Sequence, residues 1–193
     1  MRPTREQAFA LLQSHNTSDA LIKHALAVEG VMRHFAALQE GEDVELWGLV
    51  GLLHDLDYEQ FPDQHCAKTA EILTGEGYDN VIVRGCESHG YGICSDVEPK
   101  SEMEKTLFTI DELTGLITAA AIMRPSRSVL DLGLSSVKKK YKTRSFAAGV
   151  DRDLVEKGCK MLSMPLDDVI MHVILGMREC CDAIGLRGNP TTT

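Results

Sequence analysis

The stretch LLHDLDYEQF, residues 52–61, ends a strongly apolar segment with a histidine and an aspartate and continues with acidic and polar residues. The segment before it, from about Asp43 to His54, is apolar on almost every side, as expected of a helix that packs through the middle of a domain. His54 and Asp55 therefore follow each other where a buried helix ends. Polar side chains at such a position need partners from elsewhere in the chain.

Two more residues with metal-binding side chains fall on apolar helix faces. At about 100° per residue, His24 shares a face with Val28, and Asp111 shares a face with Leu107. Both side chains are therefore expected to point into the protein. A histidine on an apolar face is commonly a core residue held by a hydrogen bond, and this remains the alternative for His24.

These residues together have the composition of a metal site. An unpaired buried carboxylate is costly, so a buried aspartate needs a cation or hydrogen bonds. His24, His54, Asp55 and Asp111 offer two neutral nitrogens and two anionic oxygens. Such a set suits a divalent Mn, Fe, Ni, Co or Zn ion better than it suits calcium, which prefers oxygen ligands alone. The pattern predicts one or two ions between helices.

The composition excludes several classes of protein. At 193 residues, with 44% apolar and 25% charged residues, the chain resembles an ordinary globular protein. The net charge of -9 argues against binding of long nucleic acid. No apolar run predicts a membrane span or a signal peptide, so a cytoplasmic protein is expected. The six cysteines form no CxxC pair, which disfavours a zinc ribbon or a disulfide framework.

Hydrophobic periodicity predicts an all-α fold, because strand-like alternation is almost absent. We expect a single domain over residues 1–193, with a core at about 19–122 and C-terminal helices from 123–193 packed on it. A loop is expected from Gly90 to Lys100, and no helix is predicted between Ile122 and Arg152. The predicted helices are Thr4–Ser14, Asp19–Gln39, Asp43–His54, Gln64–Thr74, Asn80–Ser88, Glu102–Ile122, Arg152–Ser163 and Pro165–Ile184.

The order His24, His54-Asp55, Asp111 resembles the H...HD...D signature of the HD-domain metal-dependent phosphohydrolase superfamily. LLHDLDYE is similar to the HDIG-type version of that motif. The resemblance spans about His24 to Ala121, and the flanking helices resemble those of small bacterial predicted HD hydrolases. It implies an HD-domain-like helical bundle with the metal site between helices.

The resemblance also concerns two further histidines. Relatives with two metal ions carry additional histidines between the HD pair and the final aspartate, and His65 and His89 are placed similarly. The resemblance therefore implies that Asp55 bridges two ions, with His65 and His89 bound to the second. Because His65 opens a predicted helix and His89 ends one, solvent-facing side chains without a role are the alternative.

The turn after the HD pair departs from the family pattern. Many relatives have Gly and then Lys where this chain has Leu56, Asp57 and Tyr58, so the lysine that helps hold phosphate in those relatives is missing. The GYP signature is absent too, which disfavours hydrolysis of a cyclic dinucleotide. Beside Asp55, the candidate catalytic residues are Asp57 and Glu59, as general base or as residues that orient water. A solvated acidic turn is the alternative.

A basic segment, VKKKYKTRSF, places Lys138, Lys139 and Lys140 together in an otherwise acidic chain. Arg124 and Arg127 precede it in MRPSRS. Such cations bind phosphate when they lie near a metal site, which favours a small phosphorylated substrate. A solvated charged face is the alternative.

The residues and the resemblance predict a metal-dependent phosphohydrolase that acts on a nucleotide or other small phosphate ester through a metal-activated water. The expected partner is this small substrate, with no long nucleic acid and no membrane, and a homodimer is one option for the assembly. Two alternatives remain. One is a non-catalytic metal- or nucleotide-binding regulatory module, and the other is a di-iron HD-type oxygenase, which requires both His65 and His89 as ligands.

Overall fold

A computed structural model describes residues 1–190. Within these residues the chain forms nine α-helices, a short 3-10 helix at Pro62–Gln64 and an isolated bridge between Tyr91 and Ser95, but no β-strand. The prediction of an all-α fold is confirmed. The helices are α1 Arg5–His15, α2 Asp19–Ala37, α3 Val44–Leu53, α4 Ala67–Gly75, α5 Asn80–Ser88, α6 Glu102–Ile122, α7 Leu134–Lys142, α8 Arg152–Met161 and α9 Leu166–Glu179.

Local capping explains where several helices begin. Ser101 precedes α6 and its hydroxyl accepts a hydrogen bond from the backbone N–H of Glu104, while the Glu104 carboxylate accepts one from the backbone N–H of Ser101. This reciprocal pair satisfies two backbone donors that a helix start leaves without partners. Asp43 caps α3 in a related way by accepting from the N–H of Leu46. The start of α6 in turn fixes the helical phase of Asp111.

The apolar helix α3 runs through the interior, as its sequence predicts. Trp47 and Leu52 are buried on it, and it packs against α1, α2 and α5. Gly51 allows α2 to approach closely, since a Cβ there would lie 3.0 Å from the carbonyl oxygen of Val28. The end of α3 is therefore held beside the middle of α2, which carries His24.

The long helix α6 is the second central element. It packs against α2, α5, α7, α8 and α9, and most of its apolar side chains are buried. Gly158 on α8 allows close contact, because a Cβ at that position would lie 2.9 Å from the Cα of Thr109. Within the described residues, no helix is both long enough and apolar enough to cross a membrane.

The segment between α6 and α8 differs from the prediction. Lys138, Lys139 and Lys140 lie in helix α7, so the expectation of no helix between Ile122 and Arg152 is wrong. The helix forms because Val137 and Tyr141, four residues apart, are both buried on its inner face. The lysines therefore occupy the rest of a helix surface and not a mobile loop.

Arg152, the first residue of α8, holds the connection from α7. Its buried guanidinium donates to the backbone carbonyls of Tyr141, Thr143, Phe146 and Val150 at 2.6–3.3 Å. A planar group with five N–H donors can satisfy several carbonyls at once. This network fixes α8, whose Leu154 borders the site described next.

Candidate metal centre

Three helices bring histidine and aspartate side chains together. His24 projects from α2, Asp111 from the middle of α6, and His54 and Asp55 from the end of α3. His24 Nε2 lies 2.8 Å from Asp111 Oδ1 and 3.7 Å from Asp55 Oδ2. His54 Nε2 lies 3.4 Å from each of the same two oxygens. The four residues of the predicted H...HD...D set thus converge on one point.

Two further histidines complete the group, which we call the histidine–aspartate cluster: His24, His54, Asp55, His65, His89 and Asp111. His65 Nε2 and His89 Nε2 lie 3.1 Å apart, at 3.5 and 3.6 Å from Asp55 Oδ1. Asp55 therefore presents Oδ2 to His24 and His54 and Oδ1 to His65 and His89. Both added histidines face the cluster.

The outer nitrogens of three histidines fix the orientation of their rings. His54 Nδ1–H donates to the carbonyl of Gly51 at 2.8 Å, and His89 Nδ1–H donates to the carbonyl of Cys86. His65 Nδ1–H donates to Asp57 Oδ1 at 2.8 Å. Carbonyl and carboxylate oxygens only accept, so in the neutral rings the Nε2 lone pairs point into the cluster. Metal-binding histidines typically have this arrangement.

The buried Nε2 atom of His54 indicates whether a cation fits the cluster. His54 is 0% exposed, and its Nε2 has no hydrogen-bond partner among the described residues. Its lone pair faces two carboxylate oxygens, which cannot donate to it. An atom of this kind is stabilised when it binds a cation or a proton. The six residues therefore suit a divalent metal, and the subsets His24, His54, Asp111 and His65, Cys66, His89 could each hold an ion.

The electrostatics of the cluster also demand positive charge. Burial opposes protonation of His54, but the carboxylates of Asp55 and Asp111 outweigh it and raise the pKa of His54 well above its ordinary value. Burial opposes ionisation of Asp55, but the neighbouring His54 and His89 lower the pKa of that carboxyl well below its ordinary value. The His54 shift reflects the two carboxylates beside its ring, and the Asp55 shift reflects the stabilisation of that carboxylate by positive charge on the neighbouring rings.

The family model described as the HD domain matches residues 21–116, which span His24 to Asp111. The chain belongs to the HD-domain family. No curated protein and no solved structure matches the chain. The matched region contains all six residues of the cluster, and it ends on α6 before the helices α7 to α9 that pack on this HD domain.

The two acids in the turn after the HD pair, Asp57 and Glu59, both accept hydrogen bonds from other parts of the chain. Asp57 is 0% exposed, and its carboxylate accepts from His65 Nδ1–H and from the backbone N–H of Thr69, both at 2.8 Å. Glu59 accepts from the backbone N–H groups of Thr17 and Ser18 at 2.7 and 3.0 Å, and these bonds lower the pKa of Glu59. Neither carboxylate is among the groups that contact Asp55 in the histidine–aspartate cluster.

Cys66 lies beside His65, with its sulfur 3.9 Å from His89 Nε2 and 3.1 Å from the sulfur of Cys94. The hydrogen bond with Cys94 and burial raise the pKa of the Cys66 thiol far above its ordinary value. Because thiolate is the form that binds metals, this raised pKa makes Cys66 a poorer ligand than the two histidines beside it.

The basic residues lie away from the cluster. Lys138 pairs with Asp167 at 2.5 Å, Lys140 lies over the ring of Phe146, and Arg124 pairs with Asp131 at 2.9 Å. Lys139 is exposed on the same helix. Within residues 1–190, none of these four lines the cavities at the cluster. They therefore form solvated or paired surfaces, whereas Arg127 lines a neighbouring cavity.

A cleft with a volume of about 380 Å³ opens onto the cluster. Tyr58, Ile93, Phe108 and Leu154 form its apolar walls, and Glu112 lies among them. Burial and the neighbouring charge of Asp111 raise the pKa of Glu112 to about 7. No role was predicted for Glu112, although its position next to Asp111 on a largely apolar helix was a visible signal in the sequence.

Proposed function

We propose that the protein is a metal-dependent phosphohydrolase that acts on a nucleotide or another small phosphate ester. The observation that carries the proposal is the position of Asp55, which directs one carboxylate oxygen to each pair of histidines and opens onto a cleft. Membership of the HD-domain family supports hydrolysis, since that family is mostly metal-dependent phosphohydrolases.

The proposed ligands follow from the directions of the lone pairs. His24, His54 and Asp111 would hold one divalent ion, His65 and His89 would hold a second, and Asp55 would contact both. When bound, the ions would lower the pKa of water to about 7 and polarise the phosphoryl group. Imidazole nitrogens combined with carboxylate oxygens favour Mn, Fe, Co, Ni or Zn.

The residues around the cluster have supporting roles in this proposal. Asp57 orients His65 through the bond to Nδ1 and fixes its tautomer, and we propose this role in place of the general base expected from sequence. Glu59 ties the acidic turn to the start of α2. Phe108 and Leu154 reduce the access of water to one side of the cleft, which strengthens electrostatic interactions there.

The test is phosphate release by protein purified without chelator and loaded separately with Mn²⁺, Fe²⁺, Co²⁺, Ni²⁺ and Zn²⁺. The substrates are nucleotides and simple phosphate monoesters. We expect release by the wild type and loss of it in Asp55→Ala, whereas Asp63→Ala, which changes an exposed acid nearby, retains it. No release with any ion, or equal release by Asp55→Ala, would contradict the proposal.

Two other functions are distinguished by the same preparation. Because His65 and His89 both face the cluster, a di-iron oxygenase remains the second candidate, and it would consume oxygen in the Fe²⁺-loaded form without releasing phosphate. A non-catalytic metal- or nucleotide-binding module would bind the ions but show neither activity.

A further inference from the structure

A second cavity, which we call the lateral cavity, lies beside the cleft and has a volume of about 630 Å³. His24 and Gly115 line both spaces. A volume of this size accommodates a ligand of several tens of atoms or fewer. The lateral cavity is therefore next to the place where a phosphate would bind. Its other lining residues include Ala20, Lys23, Ile122, Arg127, Ile184 and Leu186.

Gly115 keeps the boundary between the two spaces open. It lies inside α6, one turn after Asp111, where glycine destabilises a helix relative to alanine. Close packing does not explain it, because a Cβ at Gly115 would meet no heavy atom of the described residues within 4 Å. Gly158, in contrast, is needed for contact with Thr109. A side chain at Gly115 would extend into the shared space.

Most of the exposed wall of the lateral cavity is apolar, and the Lys23–Asp19 ion pair and Thr118 also line it. Ala20, Ile122, Ile184 and Leu186 supply apolar surface from three parts of the chain. No Phe, Tyr or Trp is among the lining residues within 1–190, so the cavity offers no aromatic ring for stacking on a nucleobase. Aliphatic walls favour a flexible aliphatic group.

Arg127 supplies a cation at the edge of this cavity. Its guanidinium makes no hydrogen bond or ion pair with another residue in the described part of the chain, whereas Lys23 pairs with Asp19 at 2.6 Å. The backbone of Arg127 is in the left-handed region at φ 50°. The loop that carries Arg127 is held at the cavity because the N–H of Asn189 donates to the carbonyl of Ser126 at 2.8 Å. An unpaired arginine at an apolar cavity suits a ligand with an anionic end.

We propose that the lateral cavity binds the leaving group of the substrate, and that this group is aliphatic and carries an anionic end that pairs with Arg127. The inference rests on the proposed phosphohydrolase function, because the phosphate of the same ester would lie at the histidine–aspartate cluster. It narrows the substrate class from phosphate esters in general to phosphorylated aliphatic acids, and away from nucleotides.

The test uses alkyl phosphonates of two to eight carbons, which resemble the phosphate esters but are not hydrolysed. Binding to the Zn²⁺-loaded protein is measured by titration calorimetry. We expect affinity to rise about fourfold for each buried methylene until the cavity is full. In Gly115→Leu this rise should disappear while the two-carbon compound still binds.

The matched control is Gly75→Leu. Gly75 also lies in a helix, and a Cβ there also meets nothing within 4 Å among the described residues, but it lines neither space. The control should keep the dependence on chain length. Both leucine variants should melt at or above the wild-type temperature, because leucine is the better helix former.

The anionic end is tested with ω-carboxyalkyl phosphonates. Arg127→Gln should weaken their binding up to about fivefold, the size expected of an exposed ion pair, and should leave the plain alkyl compounds unaffected. An equal effect on both series, or none on either, would remove the assigned role of Arg127.

The outcomes separate this inference from the proposed function. Affinity that does not change with chain length, a rise that persists in Gly115→Leu, or no binding of any phosphonate overturns the inference, even if phosphate esters are hydrolysed. Binding that depends on chain length supports the cavity, even if the corresponding alkyl phosphates release no phosphate and the hydrolase proposal fails.

Discussion

Replacement of Asp57 by asparagine separates an orienting role from a catalytic one. The Asp57 carboxylate accepts two hydrogen bonds at 2.8 Å, from His65 Nδ1–H and from the backbone N–H of Thr69, and it is 0% exposed. Asparagine has one acceptor oxygen and one NH₂ group, so it can serve only one of these two donors. The other donor is left facing an N–H group in a buried place, or the His65 ring changes its tautomer.

The magnitudes follow from this loss. A buried donor without an acceptor costs about 1–3 kcal/mol, so urea unfolding of the chelator-treated variant should show a decrease of that size in the free energy of unfolding. If His65 changes tautomer, its Nε2 no longer offers a lone pair to a cation. Loss of such a supporting carboxylate typically lowers metal affinity about 10- to 100-fold. Only the ion held by His65 and His89 should be affected.

The assay is metal titration by calorimetry, with metal content measured after gel filtration. Asp57→Asn should bind one ion with wild-type affinity, through His24, His54 and Asp111, and the second ion 10- to 100-fold more weakly, as is typical when a supporting carboxylate is lost. Asp63→Asn makes the same charge change at an exposed acid and should behave as the wild type. If Asp57→Asn keeps both affinities within twofold while losing activity, Asp57 acts as a general base and not as an orienting residue.

Three further changes test other contacts. Gly158→Ala places a Cβ 2.9 Å from the Cα of Thr109, so we expect a loss of about 1–3 kcal/mol in urea unfolding through overpacking. Arg152→Lys leaves several backbone carbonyls without their donors and should cost about 3 kcal/mol. Glu112→Gln should stabilise the chelator-treated protein at pH 8 by about 1 kcal/mol after allowance for partial exposure, and should have little effect at pH 4.

The direction of the stability change in Glu112→Gln follows from the raised pKa of Glu112. Burial and the charge of Asp111 move the pKa from 4.5 in the unfolded chain to about 7 in the folded protein. The folded state therefore binds the proton more tightly, and this stability is complete below about pH 4.5 and lost as the pH rises through 7. An equal effect of Glu112→Gln at both pH values would contradict this origin.

Each of the other two changes has its own control. Gly149→Ala adds a Cβ that meets nothing within 4 Å in the described structure, so it should alter the unfolding free energy by less than about 0.5 kcal/mol. Lys160→Ala removes an exposed cation at the other end of α8 and should be equally mild. If Gly158→Ala or Arg152→Lys also changes the unfolding free energy by less than about 0.5 kcal/mol, the contact of Gly158 with Thr109 or the hydrogen bonds of Arg152 are not needed for stability.

Helical phase was sufficient to predict the meeting of His24 and Asp111. Both residues lie inside long helices, α2 and α6, where the direction of a side chain follows from its distance to apolar neighbours. The same logic located His54 at the inner end of α3. The fold class was predictable for the same reason, because periodicity repeats over many residues and tolerates local error.

The surroundings of Asp57 were not predictable in this way. Residues 54–60 form consecutive turns and not a helix, so no phase relates Asp57 to Asp55. The direction of its carboxylate is set by Thr69 and His65, which come later in the chain. The residues next to an acid in a turn therefore do not indicate whether its carboxylate is buried or solvated.

Helix α7 and the lateral cavity could not be predicted from the sequence, for two different reasons. No helix was predicted for the lysine-rich segment, whereas Val137 and Tyr141 give α7 a narrow buried face. The lateral cavity depends on contact between α2, α6 and residues 184–188, which are far apart in sequence. Gly115 was therefore visible in the sequence, but the open space beside it was not.

The metal centre is tested most directly by anomalous diffraction from crystals of the wild-type protein grown with Zn²⁺. We expect two zinc peaks, on either side of Asp55. One should lie at about 2.0–2.1 Å from the Nε2 atoms of His24 and His54, and the other at that distance from those of His65 and His89. A single peak, or peaks that contact neither pair of histidines, would contradict the proposed two-metal centre.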